Sequence, residues 1–219
     1  MQEILYCLRR QRDQKRNKII LMCPKVTTQY KSEVRERIIE SAVECFGRTG
    51  FDRTKMDDIA NVSDVSKGTL YLYFKSKEDL FYGICESGLK KVKDQLNGML
   101  IAKENLVSDA QKFYDYFQKG GSPYLSIVLL EMSVMATRNP RVRRVLMQYR
   151  LNRHQIISEF IGLQMKKGFA RKGIDKDAIA SGLIGLYEGL VLNKATGADD
   201  SSNKKAWSDT IRAIFAGIG

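Results

Sequence analysis

With 219 residues, 43% of them hydrophobic, the chain can bury the cores of a small domain and of one of ordinary size. Only 3 prolines and few alternating β-branched runs predict an all-helical protein, and no apolar run approaches the ~20 residues of a membrane span. The formal charge is +12, unevenly spread: residues 1–31 carry 8 Lys/Arg against 2 acids, 32–80 carry 8 against 10, 81–172 carry 16 against 7, and 173–219 carry 5 against 6.

Residues 1–30 read as a basic arm, disordered until it meets phosphates or a minor groove, with Arg9 to Lys31 supplying its cations. Ile19 to Cys23 is shorter than the ~7–15 apolar residues of a signal peptide, so a cytoplasmic protein is expected, with Met22 or Val26 as alternative starts. Cys7, Cys23, Cys45 and Cys85 form no Cys-x-x-Cys pair and suit a reducing compartment rather than a disulfide or metal role.

Val34, Ile38, Ala42 and Phe46 recur every four residues, which predicts an amphipathic helix over 32–48 that ends at Gly47 and Gly50. Thr54 is the expected N-cap of a two-turn helix holding Met56, Ile59 and Ala60. Asn61-Val62-Ser63-Asp64 breaks it, Ser66 caps a third helix, and Ser76, with Glu78 and Asp79 behind it, caps a long fourth one. Two short helices joined by a tight turn and braced by a longer one make a helix-turn-helix. The third helix, Ser66-Lys67-Gly68-Thr69-Leu70-Tyr71-Leu72-Tyr73-Phe74, bears an ammonium, hydroxyls and a position without Cβ, which suits a DNA groove.

Gly50-Phe51-x-x-Thr54-x-x-x-x-Ile59-Ala60, then Val65-Ser66-x-Gly68-Thr69-Leu70-Tyr71-x-Tyr73-Phe74-x-x-Lys77-Glu78-x-Leu80, resembles the DNA-binding domain of the TetR family of transcriptional repressors. That family usually has Ala-Gly before the Val-Ser pair; here it is Ser63-Asp64, and Asp tolerates a left-handed turn position at modest cost. The resemblance implies a helix-turn-helix domain over 31–76, a helical ligand-binding and dimerisation domain over 77–219, and a palindromic operator read by a homodimer.

Lys67, Thr69 and Tyr71 are candidates for base edges or the groove, with Lys55, Ser66 and Gly68 beside them; Thr54, Tyr73 and Lys77 read as phosphate contacts. Tyr73 equally suits a core position with its hydroxyl at the rim, and Leu70, Leu72 and Phe74 read as core.

Beyond the fourth helix, Val107 to Gln118 predicts a helix carrying Phe113, Tyr114, Tyr116 and Phe117, ended by Gly120-Gly121. Tyr124 to Met135 is apolar nearly all round, Glu131 excepted, and predicts a central helix buried on every side. Asn139-Pro140 opens a long helix with Val142, Val145, Tyr149, Ile156 and Phe160 on one face, ended by Gly168 and Gly173. Asp175 caps a helix in which Gly182, Gly185 and Gly189 share a face; Trp207, Ile211, Ile214 and Ile218 lie on the last. The family resemblance, including Tyr187-Glu188-Gly189-Leu190, implies that these two helices form the dimer interface, though the glycines equally suit packing within one subunit.

Phe113, Tyr116, Phe117, Leu130, Val134 and Tyr149 are the candidate ligand cavity. Arg138, Arg141, Arg143, Arg144, Arg150, Arg153, Lys166, Lys167, Arg171 and Lys172 face only Glu159; they read as a solvated face or, with Arg141 and Arg144 at the cavity mouth, as a phosphate-binding rim. The second reading makes fatty acyl-CoA the expected effector and lipid metabolism the target. The rival is a lipophilic cation with Glu131 as counter-charge and an efflux pump as target; a ligand-free architectural DNA binder is the third reading. No cofactor motif, phosphate loop, nucleophile elbow or carboxylate pair stands out, and His154 lies between basic residues, so neither an enzyme nor a metal site is expected.

Overall fold

The computed structural model describes residues 27–119, 124–169, 173 and 175–216. The chain divides into two compact units, Met1–Arg35 and Glu36–Gly219. Of the first, only residues 27–35 are described. Thr27 Oγ1 accepts the Tyr30 N–H at 3.1 Å, so helix α1 starts at Thr28, before the expected end of the arm at residue 30. The rest of the arm, with Cys7, Cys23 and Arg9 to Lys25, lies outside the described residues.

Every regular element among the described residues is helical. After α1 (Thr28–Thr49) come α2 (Met56–Val62), α3 (Lys67–Tyr73), α4 (Lys77–Ile101), α5 (Ala110–Lys119), α6 (Leu125–Met135), α7 (Pro140–Lys166), α8 (Lys176–Ala195) and α9 (Asp200–Ala216).

In the larger unit, Ile38, Ala42 and Phe46 of α1 are buried with Ile59, Leu70 and Leu80, and the Phe46 and Phe51 rings pack 4.9 Å apart. Gly50 takes φ +86° and Asp64 φ 52°, so both turns use left-handed positions, the second carried by an aspartate as expected. Gly47 stays helical and serves a different purpose: a Cβ there would stand 2.3 Å from the Cβ of Tyr124, so its absence lets the start of α6 close on α1. Ser66 and Ser76 cap α3 and α4 as expected, accepting the Thr69 and Asp79 N–H groups at 3.1 Å each. Thr54 does not cap α2. Its hydroxyl turns inward to Gly50 O at 2.7 Å, and Asp58 Oδ2 instead accepts the Lys55 N–H at 2.8 Å.

The C-terminal helices pack α4 on α7, α7 on α8, and α9 on both α5 and α8. Phe113, Tyr114, Phe160, Ile161, Leu183, Trp207, Ile211 and Phe215 form their core. α5 begins at Ala110 rather than near Val107, because Asn105 Oδ1 accepts the Val107 N–H at 2.8 Å and holds a turn there. α6 is not buried all round: Val128 and Met132 are, but Val134 is 67% and Ile127 41% exposed. Asn139 accepts the Arg141 and Val142 N–H groups ahead of Pro140, and Asp175 caps α8 in the same way. Gly120, Gly121, Pro123, Arg171, Lys172 and Ile218 lie outside the described residues.

Candidate functional site

Two places concentrate polar chemistry: the outer face of α3 and a cavity among the C-terminal helices. On α3, Lys67, Gly68, Tyr71 and Leu72 are exposed, Thr69 and Tyr73 half-buried, and only Leu70 is buried. Leu72 is 77% exposed and belongs to the outer face rather than the core, since it stands two residues from Leu70 and a helix turns that far to its opposite side. Around Gly68 a Cβ would meet nothing nearer than Ser66 Oγ at 3.8 Å, so this patch is bare backbone open to a partner.

The cations near α3 differ in freedom. Lys67 Nζ pairs with Asp57 of α2 at 2.8 Å, a contact exposed on both sides, and the Asp57 carboxylate pushes its ammonium pKa up. Lys55 is exposed at the start of α2. Lys77 is committed elsewhere: its Nζ donates to Phe51 O at 2.6 Å and Asp52 O at 3.0 Å and lies 4.8 Å from the centre of the Phe51 ring. It therefore ties α4 to the turn after α1, and the same commitment to carbonyls removes the Thr54 hydroxyl from the expected phosphate contacts.

The cavity encloses ≈540 Å³ between α4, α5, α6, α7, α8 and α9. Its walls are largely apolar, with Phe113, Phe117, Phe160 and Trp207 among the aromatics. Of the expected ligand residues, Phe113, Phe117 and Tyr149 line it; Tyr116, Leu130, Val134, Glu131, Arg141 and Arg144 do not. Tyr116 and Val134 are exposed, as are Arg141 and Arg144, whose helix turns them away from the cavity. Arg143 caps the end of α6 instead, donating to Ala136 O and Thr137 O at 2.8 Å each. Glu131 reaches the turn after α1, where its Oε1 accepts the Phe51 N–H at 2.9 Å.

The charged residues that do line the cavity are Lys91, Arg153 and Lys194, and no carboxylate lines it among the described residues. Arg153 is 8% exposed, lies 5.2 Å from the centre of the Tyr149 ring and donates through Nη2 to Glu188 Oε1 on α8. Its Nε and the Nε2 of Gln118 are buried without a hydrogen-bond partner among the described residues. Burial pushes the Tyr149 phenol up and that of Tyr187 up to about 12, so both stay neutral donors. Arg153, expected on a solvated face or rim, is buried instead; the signal that marks it is its spacing, four residues after Tyr149 and four before Ile157 on α7. Gln118, Lys91 and Lys194 carry no such signal.

For the expected dimer face, a Cβ at Gly182, Gly185 or Gly189 would meet nothing within 4 Å, so this side of α8 is open. Trp207 and Ile211 are 3% and 0% exposed and belong to the chain's own core, with Trp207 Nε1 donating to Ala110 O at 2.8 Å; Ile214 packs on that core too. No three His, Cys, Asp or Glu among the described residues converge on a point, and no described helix is long and apolar enough to cross a membrane. His154 Nε2 sits 3.0 Å from Asp177 O.

Residues 38–83 match the model of the bacterial regulatory proteins of the tetR family. The HTH-type transcriptional regulator YfiR of Bacillus subtilis is 28% identical over 179 residues, covering 78% of this chain and 85% of that one. Among solved structures, the regulator FadR from Bacillus subtilis in complex with stearoyl-CoA superposes with a TM-score of 0.67 at 19% identity, over 84% of this chain and 99% of that one. A transcriptional regulator from Saccharomonospora viridis in complex with choline superposes with a TM-score of 0.66 at 23% identity, over 84% and 98%.

Proposed function

Because the chain belongs to the TetR family of helix-turn-helix transcriptional regulators, we propose that it is a homodimeric repressor released from a palindromic operator by an amphipathic anion. The FadR structure contains an acyl-CoA and the Saccharomonospora regulator a cation, at nearly equal structural distance, so the shared fold does not choose between ligand classes. The cavity lining supports an anion. Lys91, Arg153 and Lys194 line the cavity while their partners, Glu40 at 3.8 Å, Glu188 and Asp200 at 2.8 Å, stand outside the lining, so an anion inside meets the cationic half of each pair; Glu131, the expected counter-charge for a cation, is bound to Phe51 N–H. An apolar body against Phe113, Phe117, Phe160 and Trp207 supplies affinity at ~0.8 kcal/mol per buried methylene. Fatty acyl chains fit that description, with free acid and acyl-CoA as the two forms to compare and lipid-metabolism genes as the expected targets.

Dimerisation rests on the open glycine face of α8, where a second helix can approach closely, and on the few base pairs one short α3 can read. Selection of bound sequences from a random DNA pool, followed by gel-shift titration with palmitate, palmitoyl-CoA and the cationic dye rhodamine 6G, tests the reading. A defined palindrome released by an anionic lipid is the expected outcome. Uniform coating would instead point to an architectural protein, and release by the dye alone to a cation sensor.

A further inference from the structure

A guanidinium buried in an apolar cavity needs acceptors on all its edges, because each unmatched donor there carries its full desolvation cost. Arg153 has one ionic acceptor, Glu188 Oε1 on Nη2, the flank of Tyr149 on its face, and no partner on Nε among the described residues. Gln118 Nε2, also in the cavity wall, is a second buried donor without a partner there, its Oε1 already accepting from Lys194 Nζ at 3.3 Å. Both unmatched cavity groups are therefore donors, and the missing complement is an acceptor.

The two members of the ion pair differ in exposure. The Arg153 side chain is 10% exposed and that of Glu188 44%, so the glutamate is far more readily resolvated than the arginine if the pair opens. Glu188 also stands next to Gly189 and one turn from Gly185, beside the open face of α8.

We propose that Arg153 is the anchor for the effector's carboxylate or acyl oxygen, and that Glu188 is a resident counter-ion which the effector displaces. This rests on the reading of the cavity as an anionic-amphiphile site and assigns its polar end. A carboxylate matches the planar guanidinium in a way a point cation or a neutral chain does not. Entry of the head group exchanges one carboxylate for another on Arg153, so the buried charge is never left unpaired, and it delivers the freed Glu188 charge to the edge of the α8 face. Effector occupancy and the surface expected to meet a second copy are thereby linked through one side chain.

The test compares an anionic and a neutral occupant of the same cavity: laurate and the uncharged fluorophore 1-aminoanthracene, each titrated into wild type, Arg153→Met and Glu188→Gln. In Arg153→Met the laurate affinity relative to 1-aminoanthracene falls about tenfold or more. In Glu188→Gln it rises several-fold, since the competitor for Arg153 is gone; this variant alters a side chain that reaches solvent and keeps the test open if Arg153→Met does not fold. A fall in laurate affinity in Glu188→Gln, or equal losses of both probes in Arg153→Met, would overturn the exchange and leave Arg153 a structural group. If wild type binds 1-aminoanthracene but neither laurate nor lauroyl-CoA, the anionic-amphiphile reading itself fails; if wild type binds laurate and Arg153→Met matches it, only the anchor assignment does.

Discussion

Replacing Glu131 by alanine removes the acceptor that α6 offers to the Phe51 N–H, a 2.9 Å bond between a carboxylate and a backbone donor in the turn after α1. Hydrogen bonds to charged groups contribute ~1.5–3 kcal/mol, and a half-buried site places this one toward the lower end, about 1.5 kcal/mol. For a unit of this size ~1 kcal/mol shifts the melting temperature by ~2–4 °C, so Glu131→Ala is expected to melt ~3–6 °C below wild type. Glu131→Gln keeps an acceptor oxygen but loses the charge, and about half that drop is expected. Calorimetry of the two variants reads both values. The bond also joins the turn after α1, within the helix-turn-helix, to α6, which lines the cavity through Leu125, Ser126, Ile127 and Leu129, so Glu131→Ala should bind effector normally yet release operator DNA at higher effector concentrations. Melting unchanged from wild type would refute the latch. Loss of a cationic dye in both variants, with operator release intact, would return Glu131 to the role of counter-charge.

Lys77→Met should lower the melting temperature, because two carbonyls lose their donor, while leaving the salt dependence of operator binding unchanged; a slope reduced by about one would restore the phosphate contact. Lys67→Ala should do the reverse, leaving the melting temperature nearly unchanged, since its pair with Asp57 is exposed, and relaxing base preference at one operator position in a repeated selection. Gly185→Leu, which places a side chain on the open face of α8, should leave the fold intact and shift the chain toward monomer in sedimentation velocity. Burial pushes the Cys85 thiol from 9.0 up to about 12; a group held protonated by folding stabilises below its unfolded pKa and loses that contribution as pH rises toward the folded one. Stability should therefore decline between pH 9 and 12, less steeply in Cys85→Ala, and native Cys85 should resist alkylation at pH 8.

Local chemistry made most of the fold readable. Ser66, Ser76, Asn139 and Asp175 cap the helices expected of them, because a short polar side chain before an apolar period has few other uses. Where a second acceptor or donor competes, the reading slips: Thr54 has Gly50 O within 2.7 Å and leaves the cap to Asp58, and Asn105 delays α5 by forming its own turn. Tertiary placement is harder still. Leu72 and Val134 look like core in composition but face outward, since whether another element covers a helix face is not written in that helix. Trp207 and Ile211 show the converse, an apolar stripe that fits a dimer seam but is consumed by α5 and the chain's own core.

The same distinction governs the candidate site. The arginine-rich opening of α7 attracts attention because its charges are dense, yet density at a helix start measures exposure: Arg141 and Arg144 are solvated, and Arg143 is spent on the carbonyls that end α6. The informative arginine is the one out of place in its pattern. Arg153 occupies an apolar-stripe position between Tyr149 and Ile157, and a charge there is tolerated only with a counter-ion, here Glu188 from a helix that begins 23 residues later in the chain. Sequence spacing points to the arginine but not to its partner, because the pairing depends on how α7 and α8 cross. The ion pair of Arg153 has its acidic half outside the lining, so on the proposed reading the arginine opens to an anionic head group only as Glu188 lets go.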